Sequence, residues 1–385
     1  MKLALVTETF PPEVNGVAMT FGVIAGELGR RGHDVSVYRP FRPDLPGADS
    51  HPEFHDVSLP WAPIPGYPLL RMGLPAYGRL KRQWSQSRPD LVHVVTEGPL
   101  GASAITVARS LGIPVTSSFH TNFHAYMRDY GFAPLRPVAL AWLRRVHNRT
   151  LRTFVPTPEM RAELATHGFR DLAILSRGVD VRHFHPSRRS EALRQSWGAG
   201  GSDPVVLHVG RMAPEKNYGL LFRVFTAMRK ANPRLRVVLA GDGPLKARLM
   251  RENPDCIFAG FFSRSEIGRY YSSADIYIHA SLSETFGNVL TEAMASGLAV
   301  AGFDYAAARQ FVKSEESGLS VPCDEPDRLI SAGVRLATDP ELRRRLGESG
   351  RAAVESQSWE RVIVRFEQDL AEIAANPADR VPVFA

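Results

Sequence analysis

The chain has 385 residues, 44% hydrophobic and 23% charged, with a formal net charge of +7. That composition is a folded globular protein's and excludes disorder, while the length exceeds what one core serves comfortably, so two domains of roughly 180 residues each are expected. Cys256 and Cys323 are the only cysteines, too few for a disulfide framework or a four-cysteine zinc site, as in a reducing compartment.

The opening MKLALVTETF breaks its apolar run at Glu8, too early for a secretory segment, and no window approaches the ~18 apolar residues of a membrane span. A cytoplasmic place is the expectation. Short apolar runs follow in order: Leu3 to Thr7, Val35 to Tyr38, Leu91 to Val95, Val115 to Phe119, Thr153 to Val155 and Ala173 to Leu175. Met19 to Arg31, Gly101 to Leu111 and Pro137 to Leu151 have the period of helices between them. The rhythm restarts at Val205 to Val209, Val237 to Ala240, Ile257 to Ala259, Ile276 to His279 and Ala299 to Ala301. Alternation of this kind predicts α/β architecture with parallel sheets covered by helices, here in two doubly wound domains. The expected boundaries are residues 1–185, a polar linker at 186–203, a second domain at 204–356, and a final helical stretch, 357–385, that covers the sheet or crosses back.

Ligands in open α/β sheets bind beyond the carboxyl ends of the strands, so the strand-to-helix loops carry the chemistry. In the first, Thr7 to Val17, Asn15 and Gly16 allow positive φ and close backbone approach, although a plain turn explains them equally. The loop after Phe119 places His120 where an imidazole can donate to a sugar hydroxyl or sit as a structural residue. HVGRMAPEKN, His208 to Asn217, combines Gly210, Arg211 and Lys216 before a helix: a phosphate cradle or surface charge. GDGP, Gly241 to Pro244, is a further tight turn. SETFGNVLTEAMASG, Ser283 to Gly297, holds Glu284 and Glu292 about 12 Å apart along a helix axis, with the helix starting near Phe286 and Glu284 in the loop just before it, a span that grips two ends of one ligand. Phe286, Gly287 and Asn288 are expected as the first helical turn, with N–H groups turned outward. The alternative is an amphipathic helix with both glutamates solvated.

These motifs in this order, with PPEVNGV and FHTNF upstream and GVDVRHFHP at the junction, resemble the family 4 glycosyltransferases of GT-B fold, across essentially the whole chain. Within that family the likeness is to the branch that glycosylates lipids, with its glucosyl-, sulfoquinovosyl- and mannosyltransferases. The resemblance implies two Rossmann-like domains facing a cleft, and transfer of a hexose from a UDP- or GDP-linked sugar to an acceptor hydroxyl with retention of the α configuration. It implies no metal, and this chain has neither D-x-D nor a His/carboxylate cluster at metal spacing, which leaves the diphosphate charge to protein groups. On this chain it implies Arg211 and Lys216 on the diphosphate, with Glu284 on hydroxyls of the donor sugar and Glu292 on the nucleotide ribose. The amides near Phe286 to Val289 would orient the donor, Gly16 would approach the phosphates and His120 would contact the sugar. One departure is GFDYAAARQFV, Gly302 to Val312, where Tyr305 and Arg309 replace the family's small residues.

The acceptor side is less marked. WAPIPGYPLLRMGLP, Trp61 to Pro75, suits a loop that touches lipid or a packed domain edge. Between Arg71 and Arg152 twelve Arg and Lys face only Asp90, Glu97 and Asp129, an asymmetry that points to an anionic partner. No nucleic-acid module accompanies it. Val138, Trp142 and Val146 form a stripe beside Arg144, Arg145 and Arg149, the pattern of a basic amphipathic helix on anionic lipid or of one packed on its sheet. The expected partners are thus a nucleotide sugar, a lipid or glycan acceptor and the inner membrane face, not nucleic acid. A sugar-nucleotide epimerase of the same fold and a non-catalytic sugar-nucleotide-binding protein are the rival readings. A nicotinamide dehydrogenase lacks its glycine fingerprint here.

Overall fold

The structure, a computed structural model, describes residues 1–13, 15–41, 52–64, 67–120, 136–260, 262 and 264–376. The chain divides into two compact units: the first runs to Arg177 and resumes at Val362, and the second includes Gly178–Arg361.

In the first unit the strands are β1 (Lys2–Val6), β2 (Asp34–Pro40), β3 (His55–Leu59), β6 (Leu91–Val94), β7 (Val115–Ser118), β8 (Thr153–Val155) and β9 (Leu172–Ile174). They form one parallel sheet in the order β3-β2-β1-β6-β7-β8-β9. Leu3 to Val6 and Leu91 to Val94 are wholly buried, because helices cover both faces of a parallel sheet. Those helices are α1 (Gly16–Arg30), α2 (Tyr77–Gln86), α3 (Pro99–Ser110), α4 (Arg136–His147) and α5 (Pro158–Thr166). An antiparallel hairpin, β4 (Trp61–Ile64) with β5 (Tyr67–Gly73), occupies the proline-rich stretch Trp61 to Pro75, whose Pro65 and Gly66 lie outside the described residues.

The second unit repeats the plan. Its parallel sheet has the order β12-β11-β10-β13-β14-β15. The strands are β10 (Val205–Val209), β11 (Arg236–Ala240), β12 (Ile257–Gly260), β13 (Ile276–His279), β14 (Ala299–Phe303) and β15 (Leu319–Val321). Around it lie α6 (Glu191–Ser196), α7 (Tyr218–Ala231), α8 (Lys246–Glu252), α9 (Arg264–Ser273), α10 (Asn288–Ala295), α11 (Ala307–Phe311), α12 (Pro326–Thr338) and α13 (Pro340–Glu355).

The boundary expected at 185 falls instead after Arg177, and Pro186–Asp203, read above as a linker, is folded into the second unit. The reason is Arg194: its guanidinium is buried and bonds Asp275 at 2.9 Å and the Asp203 carbonyl at 2.6 Å. Arg194 thus anchors the stretch by a buried ion pair, while most of its polar neighbours face solvent. Gly178 opens this unit, and a Cβ there would lie 2.5 Å from the Trp359 Cα, an approach that only glycine allows. The last helix, α14 (Trp359–Ala375), belongs to the first unit from Val362 onward. It buries Ile363, Phe366, Leu370 and Ile373, with Phe366 edge-on to Phe154 at 5.0 Å and to His93 at 5.2 Å.

Candidate functional site

In the second sheet β10 lies between β11 and β13, so the order reverses there and a crevice opens at the carboxyl ends of β10 and β13. The two loops that rise from those ends are stitched together. The Ser281 and Ser283 hydroxyls each donate to the Glu215 carbonyl at 3.2 Å, and the Asn217 amide donates to the Ala280 carbonyl at 3.3 Å. Asn217 holds φ of 55°, where a left-handed residue turns the short Pro214–Lys216 helix into α7. This stitching brings Lys216 onto Glu284, residues 68 positions apart: the ammonium donates to Oε1 of the carboxylate. Their side chains are 19% and 16% exposed, so the pair is mostly buried but still within reach of a ligand.

The electrostatics of that pair follow from burial. Burial alone would raise the Glu284 pKa, but the Lys216 charge, with the Lys216 hydrogen bond, takes it down to about 2. Burial lowers His208 to about 3 and His279 to about 4, so both imidazoles beside the pair are neutral at pH 7.

Arg211 reaches outward, 45% exposed, and holds the buried Glu215 carboxylate at 2.6 Å. Gly210 and the GDGP turn form one structural piece. Gly210 N–H donates to Ala240 at 3.0 Å, Met212 N–H to Asp242 at 2.8 Å, and Leu245 N–H to Met212 at 2.9 Å. Gly241 and Gly243 have φ of 143° and 154°, and a Cβ on Gly241 would stand 2.0 Å from the Gly210 carbonyl oxygen. The glycines of the turn therefore brace the Gly210–Lys216 loop from behind.

At α10 the structure corrects the sequence reading. Phe286 is not in the first turn: its ring is buried against Phe311 and its carbonyl accepts from Ala307 at 2.8 Å. Gly287 precedes the helix with φ of 95°, and no side chain caps the N-terminus that starts at Asn288 and Val289. Glu284 lies in the loop before the helix, where the sequence put it, and Glu292 is helical. Glu292 accepts from the buried Tyr271 hydroxyl at 3.1 Å, which fixes its carboxylate. Of the departing segment, Tyr305 packs on the sheet's core and Arg309 donates to the Asp304 carbonyl at 2.7 Å. Both side chains are held by their own unit.

In the first unit Asn15 is a helix cap rather than a left-handed turn. Its φ is −147° and its side-chain oxygen accepts from the Val17 and Ala18 amides, while Gly16 is the first residue of α1. Asn supplies either structure with the same oxygen, and the cap prevails because an apolar helical run follows. A Cβ on Gly16 would meet nothing within 4 Å, so that helix end is open. Val14 and the Thr121–Phe123 part of FHTNF lie outside the described residues. His120 is nearly enclosed, its ring tilted against Phe21 at 5.2 Å.

Two acidic residues escaped the sequence reading. Glu8, after β1, accepts from the Gly73 amide and from Leu100 N–H at 3.2 Å, joining the hairpin to the start of α3. Burial raises its pKa to about 7, and that of Glu97 likewise. Only contacts from segments distant in sequence reveal them. Among the described residues no cluster of three or more His, Cys, Asp or Glu is placed to hold a metal ion.

Residues 14–183 match the family Glycosyltransferase Family 4, and residues 189–353 match Glycosyl transferases group 1. A GDP-mannose-dependent alpha-mannosyltransferase of Mycobacterium tuberculosis is 33% identical over 364 residues, covering 93% of each chain. An alpha-monoglucosyldiacylglycerol synthase of Streptococcus pneumoniae is 27% identical over 313 residues, 78% of this chain and 70% of its own. Among solved structures, the sucrose-phosphate synthase of Thermosynechococcus elongatus superposes with a TM-score of 0.78 at 20% identity, covering 97% of this chain and 99% of its own, a likeness of fold. The chain belongs to the group 1 and family 4 glycosyltransferases, in their glycolipid branch, with the GT-B fold. It is a nucleotide-sugar-dependent hexosyltransferase.

Proposed function

We propose that the chain transfers mannose from GDP-mannose, with retention of the α configuration, to a lipid or lipid-linked glycan at a membrane face. The observation that carries the site assignment is the Lys216–Glu284 pair at the carboxyl ends of β10 and β13. A cation and a carboxylate side by side suit the junction between a diphosphate and a hexose, where one end is anionic and the other offers hydroxyls. Lys216 and Arg211 take the diphosphate, Gly210 lets it approach the backbone, and the uncapped amides at Asn288 and Val289 face it from α10 behind Phe286 and Gly287. Glu284 binds sugar hydroxyls, and Glu292 takes the ribose. From the first unit, Asn15 and Gly16 present the start of α1, and His120 contacts the sugar. As the C1–O bond to the diphosphate breaks, the departing phosphate oxygen accepts the proton of the attacking hydroxyl, so protein cations rather than a metal stabilise the charge that develops. GDP-mannose is preferred to UDP-sugars because the mannosyltransferase relative is similar along nearly the whole chain.

A melting series with GDP-mannose and UDP-glucose tests the donor. At a hundred times its dissociation constant a ligand adds about 2.7 kcal/mol, and GDP-mannose is expected to raise Tm by several degrees with or without EDTA. A shift with UDP-glucose alone reverses the choice of base. No shift with either restores the scaffold reading, and product formed without acceptor restores the epimerase.

No helix among the described residues is long and apolar enough to cross a membrane. Membrane contact is proposed through α4. Leu143 and Val146 are buried, which splits the stripe expected from sequence and leaves Val138 and Trp142 outside, 69% and 44% exposed. Arg145, three residues on from Trp142, is exposed on the same side. An apolar pair beside an arginine suits the headgroup boundary of anionic lipid. The protein is expected to co-sediment with phosphatidylglycerol vesicles at low salt and to lose most of that binding in Val138→Ser/Trp142→Ser. Equal pelleting with phosphatidylcholine alone, or no pelleting, removes this face.

A further inference from the structure

His120 is 4% exposed. Its Nδ1 lies 2.9 Å from Nη2 of Arg177. A guanidinium carries donors and no acceptor, and it keeps its charge throughout the range in which proteins work. The roles in this contact are therefore fixed: Arg177 donates and Nδ1 accepts. A neutral imidazole bonded in this way has its one proton on Nε2. Nε2 is buried and has no hydrogen-bond partner among the described residues, so a ready N–H donor is left over.

The surroundings hold the ring in that state. Arg177 is itself buried, and burial lowers its pKa only to about 10, so it is cationic at neutral pH. Among the described residues, the other titratable groups that act on His120 are His93 and His147. Burial takes each of these to about 3. His93 is further tied to Thr116 and Ser118 at 2.9 Å, and His147 to Ser117 at 2.9 Å. Both are neutral, which among the described residues leaves Arg177 as the charge beside the ring. Burial first, and the Arg177 charge second, hold His120 well below the usual histidine range. A depressed pKa means that the imidazole stays uncharged as pH falls through 6, so it can donate one hydrogen bond without adding a cation near an oxocarbenium-like sugar.

We propose that Arg177 is a positioning residue of the transfer reaction, locking His120 as the neutral Nε2–H tautomer and aiming that N–H at a hydroxyl of the bound sugar. The proposal rests on the reading of His120 as a contact of the donor sugar. Nothing in the spacing of SRGVD to FHTNF points to it, since 57 positions separate the two residues.

The test is 15N NMR of the full chain labelled at histidine, with His120→Ala to assign the signal. Between pH 6 and 8 His120 is expected to show a bare Nδ1 and a protonated Nε2. Arg177→Met is expected to mix the tautomers and lower kcat about tenfold or more, while the Tm shift with GDP-mannose persists. Arg177→Lys, which also only donates, is expected to restore the tautomer and part of kcat. A protonated Nδ1 in the wild type, or wild-type tautomer and kcat in Arg177→Met, overturns the proposal. If Arg177→Met does not fold, the wild-type spectrum and Arg177→Lys decide it. Wild-type kcat in His120→Ala overturns the sugar-contact reading, and the proposal with it. A wrong tautomer beside a slow His120→Ala overturns the proposal alone.

Discussion

Lys216→Ala is expected to lower kcat about 100-fold at saturating donor, on the order of 3 kcal/mol of transition-state stabilisation. Two losses combine. The ammonium is the more enclosed of the two cations assigned to the diphosphate, at 19% exposure against 45% for Arg211, and an enclosed cation acts on developing charge with less screening. Its removal also strands Glu284. With its cation gone, burial, which raises a carboxyl's pKa, is no longer opposed by the charge that helps bring Glu284 to about 2. The sign of the stability change follows. In the wild type the depressed pKa contributes stability above the unfolded value of 4.5 and loses it as pH falls through about 2. The mutant lacks that contribution, so the gap in Tm between the two proteins is expected to be wide at pH 7 and to narrow only as pH falls below 4.5 toward about 2. Lys216→Ala/Glu284→Gln removes the stranded charge, and is expected to recover much of the Tm and none of the turnover. Wild-type kcat in Lys216→Ala would end the diphosphate assignment.

Why the sheets were legible and the site only partly so is a matter of range. Strands buried on both faces read as unbroken apolar runs, so Leu3 to Val6 and Val205 to Leu207 announced themselves. The edge strand β3 did not, because His55, Asp56 and Ser58 interrupt its pattern, and the β4–β5 hairpin is broken up by proline. In the site, the spacing of Glu284 and Glu292 suggested two anions, one in the loop and one on the helix, gripping two ends of a ligand. The decisive neighbour of Glu284 is instead Lys216, brought there by serine hydroxyls on the Glu215 carbonyl. Local patterns give capping and turn chemistry, with ambiguity where one residue serves both, as at Asn15. Pairings across a sheet's carboxyl edge leave no period in the sequence. Glu8 on the hairpin and Arg177 on His120 belong to that second kind.

Gly241→Ala is expected to be the most damaging single methyl group in the second unit. The position combines two independent obstacles. Its φ of 143° is one that side chains rarely adopt, and the added Cβ would stand 2.0 Å from the Gly210 carbonyl oxygen. Nothing flexible can give way, since the obstructing atom is backbone and the Gly210 amide is already tied to Ala240 at 3.0 Å. Strain of this kind costs about 2–3 kcal/mol, or roughly 5–10 °C in Tm for a unit of this size. Relief requires the Gly210 carbonyl to move, and Arg211 and Lys216 follow on the same loop. Turnover is therefore expected to fall at temperatures where the variant is still folded, with KM for the donor rising as the loop shifts. Gly16→Ala is the control: the position is helical and its Cβ would meet nothing within 4 Å, so Tm is expected to hold or rise slightly. If Gly241→Ala melts with the wild type and turns over normally, the brace between the GDGP turn and the Gly210–Lys216 loop is not what positions the cations, and the N-terminus of α7 would have to hold them unaided.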